Sequence, residues 1–157
     1  MLPQSNISFR QMEMEDLPFF LEVRNLVRYH LHDSREFSLA DAQSWWPRKE
    51  SDYYLILLAE IPIGYFRVLI QSEACILIGA DIHPNFQGKK LGYLSYLKFL
   101  LIMKEKYPLH VIKLRVLKSN YRAFALYLKL GFTTISETDV DYEMRYDSDN
   151  FNGLTDF

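Results

Sequence analysis

ACILIGADIHPNFQGKKLGYLSYLKFLL (Ala74–Leu101) is the stretch that decides how this chain folds. It reads as a strand, a sharp loop and a long helix. Ala74 to Ile82 is apolar enough for a strand buried on both faces, although Gly79 and the charge of Asp81 interrupt it. His83-Pro84-Asn85 ends the strand, because proline offers no ladder hydrogen bond and Pro and Asn favour turns. Gln87-Gly88-Lys89-Lys90-Leu91-Gly92 then runs into a helical pattern with Leu94, Leu97 and Leu101 on one side. A glycine-bearing loop at a helix start presents unpaired N–H groups and the positive end of the helix dipole. Such a loop is a socket for a phosphate or diphosphate, with Lys89 and Lys90 supplying charge. By itself it is also compatible with an ordinary strand-to-helix turn carrying two solvated lysines.

Outward from this stretch the pattern stays mixed. Ile7 to Arg10 alternates as a first strand. Asp16 and Pro18 open a helix with Phe19, Phe20, Val23, Leu26 and Val27 at helical spacing. Ser38, with Asp41 in the capping-box position, opens a second helix ending near Trp45-Trp46-Pro47. Tyr53 to Ala59 and Ile63 to Ile70 form a hairpin across Glu60-Ile61-Pro62. After the long helix, Tyr107-Pro108 precedes a strand from Val111 to Leu117. A helix capped at Ser119 or Asn120 follows, with Ala123, Leu126, Tyr127 and Leu130 on its apolar side and Gly131 as its left-handed cap. Thr133 to Ile135 and Val140 to Arg145 close the chain as a hairpin, and the tail from Asp147 is expected to be mobile. The expected order is β-α-α-β-β-β-α-β-α-β-β: a single α/β domain over residues 1–157, with a mixed sheet of about seven strands and helices on both faces.

Composition narrows the function classes. A formal net charge of −2 and a pI near 6.1 argue against a general nucleic-acid binder. The single cysteine, Cys75, excludes an intramolecular disulfide and fits a reducing compartment. The N-terminus lacks a signal-peptide pattern and no apolar run is long enough to span a membrane, so a soluble cytoplasmic protein is expected. His30, His32, His83 and His110 have no zinc-type spacing, so no metal is expected.

Two stretches, IGADIHPNFQGKKLG (Ile78–Gly92) and SNYRAFALYLKLGF (Ser119–Phe132), together resemble the signature of the GNAT superfamily of acyl-CoA-dependent N-acetyltransferases. The element order is similar too. The family's loop pattern is Gln or Arg, two residues, Gly, one residue, then Gly or Ala. Gln87 and Gly92 match it, and Lys90 stands where glycine is usual. The resemblance implies acetyl-CoA as cosubstrate. Its diphosphate would lie on the amides of Gly88, Lys89, Lys90, Leu91, Gly92 and Tyr93, and its pantetheine arm would pair with Ala80, Asp81 and Ile82. It implies that Asn120 bonds the pantetheine amide and that Tyr127 protonates the leaving thiolate, with Arg122 within reach of the phosphates. The reference acidities of tyrosine and thiol differ by roughly 1.5 units, a mismatch a site can correct. Gly79 is compatible with the bulge that opens the family's sheet.

A base is harder to find. Some members carry a glutamate on the strand before the asparagine helix, and here that place holds Arg115. Asp81, a charge inside an apolar strand, is the substitute, with His83 and Glu73 behind it; a strand-end aspartate paired with a nearby cation is the alternative. Cys75, on an apolar strand with no histidine near it in sequence, is rejected as a nucleophile. The acceptor wall falls to the first two helices and the last hairpin. There Arg24-Asn25 is similar to members acting on nucleotide-linked amino-sugars, and Trp46 offers a stacking face. An amino-sugar, a protein N-terminus and a small amine all remain open as acceptors. So does a non-catalytic acyl-CoA-binding module. A homodimer through exposed strands or the aromatic tail is compatible with the sequence.

Overall fold

The structure is a computed structural model that describes residues 6–147; the remainder of the tail lies outside the described residues. Seven strands make one sheet: β1 (Ile7–Gln11), β2 (Asp52–Leu58), β3 (Ile61–Ser72), β4 (Cys75–Ile82), β5 (Val111–Leu117), β6 (Phe132–Glu137) and β7 (Asp141–Tyr146). Four α-helices accompany them: α1 (Leu17–Val27), α2 (Leu39–Trp45), α3 (Leu91–Lys106) and α4 (Tyr121–Leu130). The sheet order is β1-β2-β3-β4-β5-β7-β6, antiparallel except for β4 and β5. The expected element order holds throughout.

Each face of the sheet buries its own core. Ile56, Phe66, Val68, Ile76 and Ile78 pack against α3 and α4, whereas Leu55, Leu57 and Tyr65 alternate to the side of α1 and α2. Ser38 and Asp41 exchange hydrogen bonds at 3.1 and 2.9 Å, the capping box expected at the start of α2. Asp16 behaves differently. Its carboxylate takes the Glu13 amide at 2.8 Å and pairs with Arg10 instead of capping α1, because a 3-10 turn precedes the helix. In α3 the expected stripe of Leu94, Leu97 and Leu101 holds in part: Leu97 is buried and Leu94 packs against the core, but Leu101 is exposed while Tyr96, Phe99, Leu100 and Met103 are buried. That helix is apolar on almost every side, so spacing alone cannot choose its inner face.

The β2–β3 turn sits at Ala59-Glu60, both with positive φ (49° and 72°), rather than at Glu60-Ile61-Pro62. Pro62 lies within β3, and Ile63 is the extra residue where the register shifts. Gly64 follows, opposite Ile82. A Cβ on Gly64 would stand 2.4 Å from the Asp81 carbonyl oxygen and 3.0 Å from the Ile82 Cα, both backbone atoms that cannot swing aside. Gly64→Ala should therefore destabilise the protein by about 2 kcal/mol in urea unfolding. An unchanged midpoint would mean that β3 and β4 are not this closely apposed.

Candidate active site

β4 and β5 pair only over Cys75–Leu77 and Val111–Lys113. Beyond that point each keeps its outer neighbour, β4 bonding β3 as far as Ile82 and β5 bonding β7 as far as Leu117. The two parallel strands diverge in the middle of the sheet, so Ala80, Asp81 and Ile82 have no ladder partner on the β5 side. The wedge does not come from a bulge at Gly79, which pairs in unbroken register with Arg67.

A cavity of about 650 Å³ opens at the wedge and extends under α1 and α2. Ala80, Asp81, Asn120 and Tyr127 all line it, residues drawn from two stretches some forty positions apart (Ile78–Gly92 and Ser119–Phe132). Tyr127 is buried on α4, and its hydroxyl accepts a hydrogen bond from Tyr96 of α3 at 3.2 Å. Burial pushes Tyr127 up, so it stays a neutral donor across the physiological range. This widens the mismatch with a thiol that the sequence reading expected a site to correct. Asn120 caps α4 through its side-chain oxygen, bonded to the Ala123 amide at 3.3 Å. Its side-chain nitrogen is left for another partner.

Asp81 accepts the Tyr65 hydroxyl at 2.7 Å and makes no ion pair among the described residues. Burial pushes its carboxyl up, against opposing pulls from Tyr65, Arg67 and Arg24. Arg67, which sequence reasoning overlooked, lies across Gly79: a Cβ there would meet its Nη2 at 2.7 Å. A signal was available, since Arg67 is the lone charge in IPIGYFRVLI, as Asp81 is in the strand that follows.

At the outer end of the wedge is the loop. The Gln87 side chain donates to the Ile82 carbonyl at 2.9 Å, so it ties the loop to β4 and is not itself presented to a ligand. The first helical bond of α3 runs from the Leu94 amide to the Lys90 carbonyl at 3.0 Å. The amides of Gly88, Lys89, Lys90, Leu91 and Gly92 have no acceptor within the described residues. The Arg122 guanidinium stands over this loop, 3.8 Å from where a Gly88 Cβ would be. Tyr93 lies beneath the Lys129 ammonium. Lys90 adopts the left-handed conformation (φ 61°, ψ 9°), so the chain keeps a glycine-like turn without the glycine. Lys90→Gly should stabilise the fold by about 0.5–1 kcal/mol in urea unfolding, relief of the turn outweighing the looser unfolded chain. A loss of stability would mean that the lysine side chain secures the turn.

A family model described as the acetyltransferase (GNAT) family matches residues 9–132. The chain belongs to that family. Solved structures agree in fold. Salmonella typhimurium yncA, solved with its cofactor acetyl-CoA, superposes with a TM-score of 0.71 at 17% identity, covering 94% of this chain and 96% of its own. A point mutant of Vibrio cholerae SpeG, a spermidine N-acetyltransferase, gives 0.78 at 19% identity over 90% and 93%. A GNAT-family acetyltransferase from Bacillus anthracis gives 0.79 at 14% over 92% and 96%. A search of curated proteins finds no match.

In this GNAT protein the wall beyond the wedge belongs to the first two helices and the segment joining them; the last hairpin, also expected there, does not line the cavity, and the helix residues differ from those expected. Arg24 lines the cavity, yet it is 8% exposed and its guanidinium holds the carbonyls of Asp33 and Arg35 and stacks on Phe37. Asn25 does not reach the cavity: both ends of its amide bond the Phe37 backbone, at 2.9 and 3.1 Å. Together they brace the segment joining α1 to α2. Trp46 is turned aside under Lys49, and Trp45 takes the lining position. His83 is occupied by the Asn85 amide and Glu22, outside the cavity. Glu73 and Cys75 lie at the other end of β4 from Asp81, and burial pushes the Cys75 thiol up, which fits neither base nor nucleophile. Among the described residues no group of three His, Cys, Asp or Glu side chains could hold a metal ion.

Proposed function

We propose that this GNAT protein transfers an acetyl group from acetyl-CoA to a primary amine by direct attack in a ternary complex. The divergence of β4 and β5 is the observation that carries the reading. It leaves the Ala80–Ile82 edge free to take an extended pantetheine arm as an added strand, and it opens onto a cavity holding Tyr127 and Asp81. The free amides of Gly88 to Gly92, with Lys89, Lys90 and Arg122 nearby, are suited to the diphosphate, and the Asn120 side-chain nitrogen to the arm.

The amine nitrogen forms a bond to the thioester carbonyl carbon, and the carbon–sulfur bond breaks. The amine's surplus proton passes to Asp81, directly or through water, and the Tyr127 hydroxyl donates to the departing sulfur. The acceptor we favour is an amino-sugar, free or nucleotide-linked, because Trp45 and Tyr53 give the cavity flat faces on which a sugar or base can stack. With one buried cysteine and an ordinary charge balance, the enzyme is read as cytoplasmic.

Thiol release from acetyl-CoA against a panel of amines, amino-sugars, nucleotide-linked amino-sugars and peptides tests this directly. Turnover with at least one amine is expected. So is stronger thermal stabilisation by CoA than by ATP. Preferential stabilisation by ATP would reassign the loop to another diphosphate. CoA binding without turnover of any amine would leave a non-catalytic binding module.

A further inference from the structure

Opposite charges side by side on a cavity wall ordinarily close on each other, because a near counter-charge offsets the hydration lost there. Arg67, exposed, and Asp81, half-buried, do not. Tyr65 and Arg67 of β3 face Asp81 and Gly79 of β4 in register, on the side of the sheet turned to α1 and α2. Asp81 takes the Tyr65 hydroxyl, and Arg67 lies over Gly79 beside the Tyr53 hydroxyl. Neither makes an ion pair among the described residues. Gly79 and Asp81 are alternate residues on one strand face, roughly 6.5–7 Å apart along the strand. The cavity therefore presents a cation and an anion at alternate positions along one strand face, with open space in front of both.

The rest of the wall tilts the balance towards cations. Five arginines and three aspartates line the cavity among the described residues. Arg24 and Arg35 are engaged with Asp33, and Arg115 with Asp141. Arg48, bonded only to the Ser44 carbonyl at 3.3 Å, lines the same cavity as Arg67 and, like it, has no carboxylate. A polycationic amine would meet two guanidinium groups that no carboxylate neutralises, set against Asp81 and the helix-capping carboxylate of Asp41.

We infer that the acceptor is an amine carrying its own anionic group, a carboxylate or a phosphate, with the amine delivered to Asp81 and the anion held by Arg67 and Arg48. This rests on the acetyl-transfer reading and narrows its substrate class. It also reassigns the anion-reading role from Arg24, whose donors are spent on backbone carbonyls, to Arg67.

Matched pairs test it: glucosamine 6-phosphate against glucosamine, and an α-amino acid against its methyl ester, with a nucleotide-linked amino-sugar and spermidine alongside. The anionic member of at least one pair should exceed its neutral partner at least tenfold in kcat/KM, and which pair responds separates phosphate from carboxylate. Arg67→Met should bring that ratio to within about twofold, mainly through KM, and Arg67→Lys should recover part of it. Preference for neutral amines or spermidine overturns the inference, as does a ratio that survives Arg67→Met. Should that variant fail to fold, inorganic phosphate under saturating acetyl-CoA decides in the unaltered protein. Competition with the amine is expected, and absence of competition overturns the inference. If acetyl-CoA binds but no amine is turned over, the transfer reading itself fails and takes this one with it.

Discussion

Replacing Tyr127 by phenylalanine is expected to lower kcat for acetyl transfer by about 10²-fold while leaving CoA affinity within a few-fold. The hydroxyl is buried in the cavity wall, away from the loop amides suited to the diphosphate, so cofactor grip and proton donation are separable. Because Tyr127 accepts from Tyr96, its own hydrogen is free to point elsewhere. Burial raises both tyrosines, so neither ionises in the working range, and in the proposed reaction Tyr127 would act as a hydrogen-bond donor to the developing thiolate. The substitution also strands the Tyr96 hydroxyl, so a stability loss of about 1 kcal/mol should accompany it. Tyr96→Phe provides the control: it keeps the donor, loosens its placement, and should cost less activity than Tyr127→Phe. Single-turnover kinetics with equilibrium CoA binding would measure both. Undiminished kcat in Tyr127→Phe would remove Tyr127 from the chemistry.

The second large effect is at Asp81. Asp81→Asn should reduce kcat/KM by about 10²-fold, yet make the protein more stable near neutral pH. Burial raises the Asp81 carboxyl in the folded state above its ordinary value, so the folded protein binds that proton more tightly than the unfolded chain. Its contribution to stability is complete below the unfolded value near 3.8 and is lost as pH rises through the folded one. At neutral pH the carboxylate is therefore a net cost, which asparagine removes while still accepting the Tyr65 hydroxyl. A structural aspartate locked in an ion pair would behave in the opposite way. Urea unfolding of both proteins between pH 4 and 8 separates the two cases: destabilisation in Asp81→Asn throughout would rule out this account.

Much of this was legible in the chain because it depends on local order. Ser38 with Asp41, Asn120 and Gly131 announce helix ends through bonds made within a few residues, and the structure has each in that role. GKKLG followed by an apolar helix and SNYRAFALYLKLGF carry the family likeness for the same reason: backbone amides at a helix start and a side chain one face along α4 are fixed by sequence spacing. Even the misplaced β2–β3 turn moved by only two residues.

The acceptor wall was not legible in this way. Arg24, Asn25 and Trp46 have suitable chemistry, but whether a guanidinium or amide is available depends on what else it bonds, and the segment 33–37 folds back to occupy the first two. Arg67 looked like one polar residue in a strand until pairing set it over Gly79 and diagonally from Asp81. By itself the sequence determined the element order, the caps of α2 and α4 and the amide-bearing loop before α3, all set by neighbours along the chain. Only the tertiary structure decided which strands part, which charges stay unpaired and which side chains face the cavity, because those depend on contacts between residues far apart in sequence.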